Sequence, residues 1–83
     1  MSKAVWDAIS KWLIDNFEVT YSRWHKSMYV IHIKPRIIIQ IHRYNIDVMQ
    51  TPPGTDKILE RSIRLQPSDP KLYDKIKQFI YAD

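Results

Sequence analysis

The stretch MYVIHIKPRIIIQIHRY, residues 28–44, decides the fold of this chain of 83 residues. It holds six isoleucines, two histidines and three Lys or Arg, and no acidic residue. Tyr29, Ile31, Ile33, Ile37, Ile39 and Ile41 all fall on odd positions, on both sides of Pro35. A period of two is the signature of a strand whose alternate side chains enter a core. The shared parity has two readings. A hairpin over Lys34-Pro35-Arg36 sets Ile33 against Ile37, Ile31 against Ile39 and Tyr29 against Ile41, all on one face. A single long edge strand bent at Pro35 also keeps the parity. The turn lacks the Gly or Asn that three-residue hairpin loops favour. Proline in a central strand removes a ladder donor, however, and a break at Pro35 is the preferred reading.

Upstream, the period is helical. Val5, Ile9, Trp12 and Leu13 form one apolar stripe with Trp6 at its edge, and Ser2 is placed to cap it. Lys3, Asp7, Lys11 and Asp15 recur every four residues on the other side. This balanced ladder belongs to a helix packed on its own core, since a membrane-surface helix favours Lys and Arg. Asn16 closes the helix, and Phe17, Val19 and Tyr21 then alternate as a strand with their side chains inward. Trp24-His25-Lys26-Ser27 breaks the alternation and reads as a loop.

Downstream, the parity shifts at Ile46 and Val48. A four-residue connection, His42-Arg43-Tyr44-Asn45, or a bulge accounts for the shift equally well. Pro53-Gly54 marks a type II turn. Residues 57–65 read as a strand with Leu59, Ile63 and Leu65 inward. Ser68-Asp69-Pro70 then starts a helix, with proline at its first position and Leu72, Ile76, Phe79 and Ile80 as its stripe. The expected fold is therefore α+β: two layers and one domain over residues 1–83, ordered N-terminal helix, antiparallel sheet of three to five strands, C-terminal helix.

The formal net charge is +4, and its distribution is uneven. Residues 1–18 carry −1 and residues 47–83 carry 0. Residues 19–46 hold Arg23, Lys26, Lys34, Arg36 and Arg43 with no acid, a net of +5, and all three histidines. Such a segment can gather phosphates, with Trp24 and Tyr44 near the strand ends as stacking groups. The first functional expectation is thus a nucleic-acid-binding protein using Arg23, Trp24, Lys26, Lys34, Arg36, Arg43 and Tyr44 with little sequence preference.

The even positions of the same strands define a second expectation. Met28, Val30, His32, Ile38, Gln40 and His42 face away from the isoleucine layer. They make a mixed surface, neither wholly polar nor wholly apolar. Such a face suits a protein partner, an inhibitor's target, or a second copy in a homodimer.

The order helix, strands, helix resembles the double-stranded-RNA-binding domain at the level of topology. That family carries a Lys-rich cluster at the start of its final helix. Here the position reads Ser68-Asp69-Pro70-Lys71, so no family residue carries over.

Catalytic readings fare worse. With no cysteine there is no thiolate ligand or nucleophile. In the hairpin register His32 and His42 stand about 13 Å apart, too far to share an ion. Asp47 and Glu60 lack a lysine two residues on, and are expected to solvate the outer strands. Ser22 and Ser27 have no activating neighbour. A non-enzymatic protein without metal or cofactor is expected. No run approaches the ~20 apolar residues of a membrane span, and Asp7, Lys11 and Asp15 interrupt any signal-peptide core. With no disulfide framework, a cytoplasmic location is expected.

Overall fold

A computed structural model of the chain describes residues 2–55 and 57–82. Alternating isoleucines define its centre. Strands β2 (Met28–Ile33) and β3 (Ile37–Ile41) form the hairpin over Lys34-Pro35-Arg36, with Ile33 paired to Ile37, Ile31 to Ile39 and Tyr29 to Ile41. The Lys34–Pro35 peptide is cis. Strand β4 (Ile46–Gln50) follows through the four-residue connection, so Ile41 pairs with Ile46 and the His42 N–H donates to the Asn45 carbonyl at 2.9 Å. Strand β1 (Val19–His25) lies on the far side of β2, and β5 (Arg61–Leu65) on the far side of β4. The result is a five-stranded antiparallel meander in the order β1-β2-β3-β4-β5.

Both helices, α1 (Lys3–Asn16) and α2 (Leu72–Tyr81), supply core residues to one face of this sheet. Ile31, Ile39, Ile41, Ile46 and Val48 are fully excluded from solvent beneath Ile9 and Leu13 of α1 and Ile76 of α2. Burying each of these side chains is worth roughly 1.5–3 kcal/mol, which is how so short a chain offsets its lost conformational entropy. Aromatic pairs join the helical layer: Trp12 stacks on Tyr73 with centroids 4.3 Å apart, and Phe17 meets Tyr81 at 5.7 Å. Among the described residues, no helix is long and apolar enough to cross a membrane.

Local signals explain most helix ends. The Ser2 hydroxyl accepts from the Val5 N–H at 3.3 Å and satisfies one orphan donor of the first turn. Asn16 Nδ2 donates to the Trp12 carbonyl at 2.8 Å where α1 stops. Gly54 has φ +86°, as the third residue of a type II turn requires.

Four expectations need correction. Helix α2 begins at Leu72, two residues beyond Pro70. Asp69 accepts from the Lys71 N–H at 2.8 Å and holds a preceding turn instead of capping the helix directly. Strand β5 begins at Arg61, and Leu59 is 52% exposed outside it. The Trp24–Ser27 loop shrinks to Lys26-Ser27, because Lys26 takes the positive φ (58°) that lets two residues reverse the chain. Tyr21, expected inward, points outward. Val19 pairs with Ile33 but Tyr21 pairs with His32, so Thr20 is an extra residue in β1. A bulge of one residue exchanges the faces of everything beyond it.

Candidate functional site

The sheet has a covered face and an open one, and register determines what the open face carries. Residues paired across antiparallel strands share a face. One row across the sheet is Tyr21, His32, Ile38, Met49 and Ser62. The next is Arg23, Val30, Gln40, Asp47 and Arg64. His25 and Met28 pair at the end of β1 and β2, with His42 leaving β3 beside them. The first row sets two rings and two apolar side chains before Ser62, and the second is polar apart from Val30. No described element covers either.

Several of these side chains are fixed in place. The Tyr21 and His32 rings meet edge to face at 5.0 Å, and the Arg23 guanidinium lies 6.0 Å from the Tyr21 centroid. Tyr21, Arg23, His25, Val30 and His32 surround a shallow hollow of about 420 Å³. Asp47 is the polar hub. Its Oδ1 accepts from Arg64 Nε at 2.8 Å and from Asn45 Nδ2 at 3.3 Å, and its Oδ2 lies 3.3 Å from His42 Nε2. His42 Nε2 is also 3.1 Å from Gln40 Oε1, an arrangement that needs its proton on that nitrogen. Hydrogen bonding to Asp47, reinforced by its charge, raises the Arg64 pKa above the ordinary value. Asp47 therefore holds the open face together, in contrast to the solvating role read from sequence.

All six positions expected to form an interface, Met28, Val30, His32, Ile38, Gln40 and His42, lie on or beside this open face and are partly buried by one another. The basic set is dispersed. Arg23 belongs to the open face, while Lys26 sits in the β1–β2 turn and Arg43 and Tyr44 in the β3–β4 loop, all toward one end of the sheet. Tyr44 is 68% exposed, with the Arg43 guanidinium 5.2 Å from its ring. Lys34 and Arg36 lie at the opposite end, about 17 Å away along a strand of this length. There Lys34 pairs with Glu18 at 3.3 Å, and Arg36 pairs with Glu60 at 3.6 Å and donates to the Thr51 carbonyl at 2.7 Å. Trp24 is on the covered side, with its ring centroid 4.3 Å from that of Trp6 and 5.3 Å from that of Tyr29. The segment lacks carboxylates only along the chain. In space, Glu18, Glu60 and Asp47 are delivered to it from its flanks.

Sequence reading missed Tyr21, Asp47 and Arg64 as members of the open face. Asp47 had a usable signal, since the four-residue connection places it opposite Gln40. Tyr21 had none, because nothing in Val19-Thr20-Tyr21 announces a bulge. A cleft of about 540 Å³ between Ala4 and Ala8 of α1 and Pro67, Pro70 and Tyr73 lies on the helical side, away from this face. Among the described residues, no three His, Asp or Glu side chains converge to hold a metal ion.

These features define a class: a two-layer α+β domain with one sheet face open. Comparison with protein-family models, with curated proteins and with solved structures yields no match.

Proposed function

We propose that the protein is a non-enzymatic interaction module that docks the open face of its sheet on a partner protein. The observation that carries this reading is the row Tyr21–His32–Ile38–Met49, two aromatic rings and two apolar side chains continuous across four neighbouring strands and uncovered. Interfaces commonly set such an apolar centre inside a polar rim. The second row and the His42–Asp47–Arg64 network supply that rim here. The hollow beside Val30 has room for one large side chain. Arg23 at its margin favours a partner with an apolar centre and a carboxylate beside it.

One arrangement supports a nucleic-acid reading instead: Lys26, Arg43 and Tyr44 gather at one end of the sheet, with Arg23, His25 and His42 nearby. Two variants separate the readings, Ile38→Asp and the double variant Lys26→Ala/Arg43→Ala. For the docking module, proteins captured from source-cell lysate by the wild type are retained by the double variant and lost with Ile38→Asp. Fluorescence anisotropy with single- and double-stranded probes should show no binding at about 50 mM salt, where phosphate contacts are strong. Salt-sensitive binding that survives Ile38→Asp and disappears in the double variant refutes the docking role.

A further inference from the structure

The two edges of the sheet are unlike. β5 is five residues long, its Arg61 and Arg64 are engaged with α2 and with Asp47, and Pro67 follows closely. Short length, charge and proline are the usual guards of a free edge. β1 is seven residues long, pairs with β2 on one side, and is exposed from Thr20 to His25. Val19-Thr20-Tyr21-Ser22-Arg23-Trp24-His25 is rich in β-branched and aromatic residues and contains one arginine and no proline. It also presents large apolar side chains on both faces, Tyr21 at 41% exposure on the open side and Trp24 at 52% on the helical side. Such an edge is a template for another strand.

We propose that β1 is a homodimerisation edge. Two copies pair antiparallel through β1 across a two-fold axis at Ser22, joining their five-stranded sheets into one continuous sheet. This edge borders the docking face and shares Tyr21 and Arg23 with it, and its occupant is a second copy of this chain. The side chains select the register. An axis at Ser22 sets Tyr21 opposite Arg23 of the partner subunit, twice by symmetry, extending the Arg23–Tyr21 contact already present within one chain. An axis at Arg23 would oppose two guanidiniums, and one at Tyr21 would set each Arg23 against Val19. With the axis at Ser22, the helices of both copies stay on the same side and Trp24 meets Thr20 of the partner subunit. The bulge at Thr20 limits the pairing to about Thr20–Trp24. So short an edge belongs with the small, weak interfaces, and a dissociation constant of roughly micromolar order is expected.

Ser22 is exposed, so charges placed there leave the monomer intact and oppose each other only at the axis. Analytical ultracentrifugation of the full chain should show a dimer. Ser22→Glu and Ser22→Lys should each raise the dissociation constant by about tenfold or more, because like charges are forced together. An equimolar mixture of the two should dimerise again, and Ser62→Glu on β5 should behave as the wild type. The chain has no cysteine, so Ser22→Cys should form a disulfide-linked dimer under mild oxidation while Ser62→Cys should not. A wild-type monomer at about 1 mM, where a micromolar complex is saturated, overturns the proposal. So does a dimer indifferent to both Ser22 charges, or a Glu/Lys mixture that stays monomeric.

Discussion

Replacing Arg61 should unfasten the end of the second helix. Helix α2 has no basic residue in its last turn, so the partial negative charge of its terminal carbonyls is met from outside the helix. Arg61, at the start of β5, provides the cation. Its guanidinium donates through Nη2 to the Phe79 and Ala82 carbonyls, the latter at 2.7 Å, and through Nε to the Gln50 side chain. It also lies 4.1 Å from the Phe79 ring centroid. A charge-assisted hydrogen bond is worth about 1.5–3 kcal/mol, and bonds sharing one group do not add fully. A cation at a helix C-terminus adds about 0.3–1 kcal/mol. Arg61→Met keeps the apolar stem over Phe79 and deletes every donor, so a loss of about 2–3 kcal/mol is expected. For a domain of this size that lowers Tm by roughly 10–20 °C. Urea denaturation followed by circular dichroism should show a lower midpoint with an unchanged slope. Arg61→Lys should recover less than half of the loss, because an ammonium cannot fork across two carbonyls and Gln50. A cost below about 0.5 kcal/mol for Arg61→Met is what a solvated surface residue would show, and it would refute the reasoning.

Two other expectations are simpler to check. Leu59→Ser should change stability by no more than about 0.5 kcal/mol, whereas Leu65→Ser should cost about 2 kcal/mol or more by burying a hydroxyl where an apolar side chain packs; paired urea titrations measure both. The Asp69 carboxyl is held below its ordinary range by hydrogen bonds from Lys75 and from the Lys71 N–H. Its contribution is therefore fully present above about pH 3.9, the unfolded value, and is lost as pH falls through the lower folded value. An NMR titration should place the Asp69 midpoint below that of an unfolded peptide, and Asp69→Asn should make acid unfolding less steep.

The arginine clamp and the acidic hub share a property that a linear reading does not reach. Arg61 is 18 residues from Phe79 along the chain, and Arg64 is 17 from Asp47. The second pair exists because β4 and β5 lie in register, with Asp47 opposite Arg64, and the first because the end of α2 returns to the start of β5, where Arg61 stands opposite Gln50. Nothing in the local pattern of residues 57–65 marks either arginine as more than a polar side chain on a strand. Leu59 shows the converse case. It continues the apolar pattern of the strand, but β5 starts two residues later and leaves it exposed. The hairpin at Pro35 was legible in part: a break there avoids a proline within a central strand, while a long strand bent at Pro35 kept the same parity only by lying at an edge.

What the sequence determined by itself was the layering. A strict period of two across Tyr29–Ile41 can be buried on only one side of a sheet, and the two helical stripes must cover that side. This fixed Met28, Val30, His32, Ile38, Gln40 and His42 as the outward set. Tertiary structure alone decided how charge and aromatic groups are shared around them. Electrostatic pairing follows distance in space and not position in the chain, so Glu18 and Glu60 could answer Lys34 and Arg36 from beyond the basic segment. One extra residue at Thr20 turned Tyr21 and Arg23 outward and Trp24 inward, because in a strand each side chain's face depends on counting every residue before it.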